Sequence, residues 1–127
     1  MGKFLIRRVA TGHKFDLKAV NGETIATSEV YNTEAACRKG IQSVCASAPK
    51  AALEDLTDPT QKAASNPKFV LYLDKAGAYR FRLHARNGKI IAISEPYSTK
   101  NHCLEGVESV KKNVIYSEIS EICGNCY

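Results

Sequence analysis

Three groups of residues have the types and spacing that chemistry uses. In the first, Tyr79-Arg80-Phe81-Arg82-Leu83-His84-Ala85-Arg86, apolar and polar residues alternate without a break. On a β-strand this puts Arg80, Arg82, His84 and Arg86 on one face, at roughly 7 Å spacing, near that of successive phosphates in a nucleic acid strand. Lys89 stands just past the next turn, and Tyr72 on the neighbouring strand can offer a stacking surface on the same side. The stripe reads either as a shallow platform for single-stranded nucleic acid or another polyanion, or as a solvated charged face. The matching positions earlier in the chain, Asp16 and Lys18, favour the solvated face.

The second group is written twice: Ser28-Glu29-x-Tyr31 and Ser94-Glu95-x-Tyr97. Each copy sits where a strand gives way to a helix. A Glu there is favoured by the positive end of the helix dipole, and a Tyr can pin the loop through its hydroxyl. The sharper reading is a ligand site built from Ser, Glu and Tyr in each copy. Nothing nearby supplies a second carboxylate or a base, so acid–base catalysis is not implied.

The third group is Cys123-Gly124-Asn125-Cys126. Its spacing is that of a zinc knuckle half or a redox pair. Zinc needs about four ligands, and only Cys45, Cys103 and His102 are at hand. The motif reads as two thiols in a tail, able to oxidise together or, with help, to bind a metal. His13, His84 and His102 are scattered and form no nucleophilic arrangement. No phosphate-cradling glycine motif is present, and no cofactor is implied. The chain reads as non-enzymatic.

The bulk numbers agree with a small globular protein. There are 127 residues, 44% apolar and 24% charged, with a formal net charge of +5. That charge attracts polyanions weakly without defining a site. The opening Met-Gly-Lys-Phe-Leu-Ile-Arg-Arg has too short an apolar stretch for a signal peptide, and no apolar run approaches the roughly 18 residues of a membrane span. A cytoplasmic location with reduced thiols is expected. The expected partners are an unidentified protein or a second copy in a homodimer, with nucleic acid as the alternative and no membrane.

The elements that must position these groups repeat. Lys3-Phe4-Leu5-Ile6 is echoed by Lys68-Phe69-Val70-Leu71, and residues 15–44 match 81–110 without a gap at about half of the positions. Asn21-Gly22 and Asn87-Gly88 predict type I′ hairpins. Ile90-Ile91-Ala92-Ile93 predicts a strand buried on both sides. Cys37, Ile41, Val44 and Ala48, mirrored by Cys103, Val107, Val110 and Val114, predict one buried helical face per copy, and Asn32 or Thr33 and Ser98 or Thr99 are suitable caps. Gly40 and Gly106 cost each helix about 1 kcal/mol, so the helices should lie close against the sheet there. A fourth short strand is expected at Ala51–Leu56 and again at Val114–Ile119. The boundaries expected are a first repeat over 1–57, a linker over 58–67, a second repeat over 68–119 and a tail over 120–127, the repeats folding as one α+β domain with both helices on one face of an antiparallel sheet.

At residues 68–83, 87–99 and 106–113 the chain resembles the YegP-like family, small proteins carrying one or two copies of a domain of unknown function. The resemblance implies a doubled β3-α-β unit sharing one sheet, with an internal pseudo-two-fold and the terminal strands exchanged between units. Arg7-Arg8-Val9-Ala10-Thr11-Gly12 departs from the family turn, which leaves the first hairpin open, and residues 118–127 lie outside the family pattern. The resemblance brings no activity with it.

Overall fold

Strand alternation and turn chemistry account for most of the architecture. A computed structural model describes residues 2–114 and 118–122. The first repeat contributes β1 (Lys3–Val9), β2 (Gly12–Lys18), β3 (Thr24–Thr27), α1 (Glu34–Ser47) and, after a 3₁₀ turn, β4 (Ala52–Asp55). The second contributes β5 (Lys68–Leu73), β6 (Tyr79–His84), β7 (Ile90–Ser94), α2 (Lys100–Val114) and β8 (Glu118–Ile122). All eight strands form one sheet in the order β4-β5-β6-β7-β3-β2-β1-β8.

That order contains the exchange. β4, from the first repeat, pairs with β5 of the second, and β8 pairs with β1 of the first. Both outer pairs are parallel, a correction to the all-antiparallel expectation. The fourth strand leaves the far end of a helix and lands beside the other repeat's first strand, running the same way. β4 falls within the expected Ala51–Leu56, whereas the second fourth strand is displaced: Val114 still belongs to α2, and β8 starts at Glu118.

The two Asn-Gly turns close hairpins, but not as type I′. Only the glycines take positive φ, +89° at Gly22 and +86° at Gly88. Each asparagine instead accepts a hydrogen bond on its side chain from the N–H two residues on, Glu23 and Lys89, at 3.0 Å. A glycine N–H bonded back three residues and a register shift in the adjoining strands make this a turn with a bulge. The first hairpin, left open by sequence, closes between Val9 and Gly12.

Helices and sheet meet in one core. Phe4, Phe15, Phe69 and Phe81 lie beneath the helical residues Cys37, Ile41, Val44, Cys103, Val107 and Val110, all buried as the periodicity predicts. Thr33 caps α1 through its side chain, accepting from Ala36 N–H at 3.0 Å, and Thr99 accepts from His102 N–H at 3.1 Å. The other face of the sheet carries no helix. Ile93 is on that face and 37% exposed, so β7 is not buried on both sides.

Candidate functional site

One row of cross-strand partners crosses the helix-free face: Val70, Arg82, Ile93, Thr27, Asp16, Leu5. Its centre is the pair Thr27–Ile93, which occupies one position of the repeat. The outer members match as well, Arg82 with Asp16 and Val70 with Leu5. The same backbone frame carries different chemistry on its two sides.

On the first-repeat side the charges close on each other. Arg7 Nε lies 2.8 Å from Asp16 Oδ2, and the Thr27 hydroxyl donates to Asp16 Oδ1 at 2.8 Å. Asp16 is 9% exposed. On the second-repeat side, Tyr72 stands in place of Arg7 and Arg82 in place of Asp16. The Arg82 guanidinium sits 4.8 Å from the Tyr72 ring centre, and its Nε donates to His84 Nε2 at 3.2 Å. Arg82 is thus held by an aromatic face and an imidazole, with exposed Ile93 beside it.

The predicted stripe is divided. Arg80, Arg82 and His84 share the helix-free face, but Arg80 is occupied: its Nε meets Asp74 Oδ2 at 2.7 Å, and Nη1 donates to the Ser94 carbonyl at 3.1 Å. The hydrogen bond from Arg80 is the main reason the Asp74 carboxyl is held below its ordinary pKa. Burial pushes the His84 imidazole below its ordinary value, with Arg82 and Lys68 adding to it against the bond to the Gly88 carbonyl. Arg86 and Lys89 do not join the stripe. β6 ends at His84, Arg86 stands in the turn that the Gly88 N–H closes on the Ala85 carbonyl, and both Arg86 and Lys89 line clefts against α1 on the helix side. Lys89 lies 3.5 Å from Glu29 and 5.7 Å from the Tyr31 ring centre.

The Ser-Glu-Tyr junctions are divided in the same manner in both copies. Ser28 Oγ accepts from Phe15 N–H at 2.9 Å and donates to the Glu29 carbonyl at 2.7 Å. Ser94 does the same for Phe81 and Glu95 at 2.9 and 2.8 Å. Both hydroxyls are buried and committed to the backbone. Glu29 and Glu95 point out to solvent, and Glu29 stands ahead of the Thr33 cap, away from the helix end. Tyr31 pins its loop through the main chain, exchanging N–H···O bonds with His13, and Tyr97 does so with Tyr79. Their rings stack on Phe15 and Phe81 at 6.3 and 6.4 Å. It is these rings, rather than the sheet backbone, that the helix glycines meet: a Cβ on Gly40 would lie 2.7 Å from Tyr31 Cζ, and one on Gly106 2.8 Å from Tyr97 Cζ.

Cys123 and Cys126 lie outside the described residues. Cys37 and Cys103 are core residues, and burial, ahead of nearby carboxylates, pushes both thiols up to about 11. Among the described residues no three His, Cys, Asp or Glu side chains gather as a metal site, and no helix is long and apolar enough to cross a membrane. Sequence reasoning missed the Tyr72–Arg82–Ile93 group as a unit. The signal was the repeat alignment itself, which sets Tyr72, Arg82 and Ile93 against Arg7, Asp16 and Thr27.

Comparison with known proteins finds the same doubled unit. The model of Domain of unknown function (DUF1508) matches twice, at residues 9–55 and 74–121, so the second match reaches into the segment expected to lie outside the family pattern. The chain is 32% identical to the UPF0339 protein YegP of Yersinia pestis over 123 residues, 96% of each chain. It is 47% identical over 55 residues to a UPF0339 protein of Treponema denticola, covering 95% of that protein but 43% of this chain, so that relative is one repeat long. The solution structure of yegP from E. coli, a protein of unknown function, superposes with a TM-score of 0.79 at 30% identity, covering 98% of this chain and 95% of that one.

Proposed function

The chain belongs to the DUF1508 family, in two copies, and from that premise we propose that it is a non-catalytic binding module whose working surface is the second-repeat half of the helix-free sheet face. Its relatives are proteins of uncharacterised function, so the reading rests on this chain's own geometry. The observation that carries it is the asymmetry of the central row. Arg7, Asp16 and Thr27 satisfy one another, whereas Tyr72, Arg82 and Ile93 present an aromatic ring, a guanidinium and an aliphatic side chain outward. Aromatic and arginine side chains beside an apolar one are the composition that protein interfaces favour.

A photo-crosslinking amino acid at position 93, compared with one at Lys14 and one at Lys62, tests this in cells. Adducts that form at 93, and vanish when Tyr72 and Arg82 are both changed to Ala, fit the reading. Equal labelling at all three positions counts against it.

The stacking of Arg82 on Tyr72 favours a second reading, single-stranded nucleic acid. Fluorescence anisotropy with labelled single strands across a salt series distinguishes the two. Phosphate contacts weaken steeply with salt, and a protein-binding surface leaves no nucleic acid signal at low salt.

A further inference from the structure

Each Asn-Gly turn leans over the helix of the other repeat, and the two clefts formed in this way carry opposite charge. The first lies between the turn at Ala19–Asn21 and α2, has a volume of about 700 Å³, and continues towards Tyr97. Its charged residues are Glu23, Glu105 and Glu108 against a single Lys112. The second lies between Ala85–Asn87 and α1, and its charged residues are Lys39, Lys50, Arg86 and Lys89. In the repeat alignment Glu23 corresponds to Lys89 and Glu105 to Lys39, so the sign reverses at equivalent positions.

The reversal is visible around the equivalent tyrosines. Lys89 Nζ lies 5.7 Å from the Tyr31 ring centre. Tyr97 has Glu23 in that place; burial raises both hydroxyl pKa values first, with Glu29 adding to it at Tyr31 and Glu23 together with Cys103 and Glu95 at Tyr97. Apolar groups line both clefts, Leu104 and Val20 in the acidic one and Ala46, Pro67 and Ala85 in the basic one. Val20 is 74% exposed.

We propose that the two clefts are halves of one self-complementary surface and that the occupant is a second copy of this chain, acidic cleft against basic cleft. The intramolecular two-fold exchanges the clefts. A copy turned half-way round an axis at right angles both to it and to the line joining the clefts therefore sets acid on base at both places at once, which closes as a dimer rather than a fibre. The Glu29–Lys89 pair does not block this. Both side chains are more than half exposed, so the carboxylate of a second copy can share the lysine. This surface is on the helix side and is independent of the sheet face proposed above.

The test is sedimentation velocity of the full chain over a concentration series, at about 20 mM and about 0.5 M salt. At low salt the mass of two chains is expected at high concentration, falling towards one at high salt. Glu23→Lys/Glu105→Lys, with two basic clefts, and Lys39→Glu/Arg86→Glu/Lys89→Glu, with two acidic ones, are each expected to sediment as single chains. Mixed in equal amounts they should form a heterodimer, which a misfolded variant could not do. Glu23→Gln/Glu105→Gln, nearly isosteric, should weaken dimerisation at least about ten-fold. A wild-type protein that stays a single chain at low salt overturns the proposal. So does a charge-reversed variant that dimerises alone, or a mixture of two variants with native melting curves that stays monomeric.

Discussion

Thr27 and Ile93 hold the same position in the two repeats and are each other's partner across β3 and β7, so the internal two-fold passes between them. They differ in what lies beside them. Thr27 donates to the Asp16 carboxylate, whereas the position matching Asp16 beside Ile93 is Arg82. Thr27→Val removes that hydrogen bond and should cost about 1 kcal/mol in urea unfolding, whereas Ile93→Thr, with no carboxylate to serve, should stay within about 0.5 kcal/mol of the parent.

Gly40→Ala and Gly106→Ala should destabilise even though alanine is the better helix former. The new methyl meets Tyr31 or Tyr97, backed by Phe15 or Phe81 at 3.2 or 3.0 Å. Overpacking of about 1–3 kcal/mol exceeds the helix gain of about 1 kcal/mol. In a Tyr31→Ala background the Gly40→Ala change should cost less or stabilise. A double-mutant cycle by chemical denaturation reads the coupling.

Ser94→Ala leaves the buried Phe81 N–H without its acceptor at 2.9 Å, and Ser28→Ala does the same to Phe15. Each should lose about 1–3 kcal/mol, far more than an exposed Ser98→Ala change. Thermal melts of the three variants side by side check this.

Acid should weaken the fold through partly buried carboxylates. Lys68 holds Glu54, and Arg80 holds Asp74, below their ordinary values, chiefly by hydrogen bonding. A lowered folded value stabilises above the unfolded pKa, and the contribution is lost as pH falls, here below about pH 5. Lys68→Met and Arg80→Met should flatten the acid limb of the melting temperature against pH.

The core thiols should do the reverse. Raised in the fold to about 11, Cys37 and Cys103 favour the unfolded chain once pH passes its thiol value, so stability falls from about pH 8.5 upward. In a Cys123→Ser/Cys126→Ser background, a thiol reagent near pH 8 should modify half-buried Cys45 first and reach Cys37 and Cys103 only as fast as the protein opens.

The features legible in the sequence are those that local geometry dictates. Cys37, Ile41, Val44 and Ala48 recur at helical spacing and are buried for that reason, and the exchange of terminal strands followed from the family resemblance. The turn type was not legible, because it depends on whether Asn21 and Asn87 adopt positive φ or use their side chains instead. Nor was the end of the basic stripe. Alternation assigns Arg86 to the face of Arg82 only if the strand runs that far, and it ends at His84, with Arg86 already in the turn. The parallel outer pairs depend on where a connection delivers the chain. The opposed clefts combine Glu23 of one repeat with Glu105 of the other, a pairing that neither repeat contains alone.

The exchange of β4 and β8 also determines how the molecule bears load. β1 and β8 are neighbours running the same way, in register from Lys3 opposite Glu118 to Arg7 opposite Ile122. A force drawing the start of β1 away from the end of β8 therefore acts along both strands. The backbone bonds between them must yield together in shear, not one by one as in an unzipping hairpin.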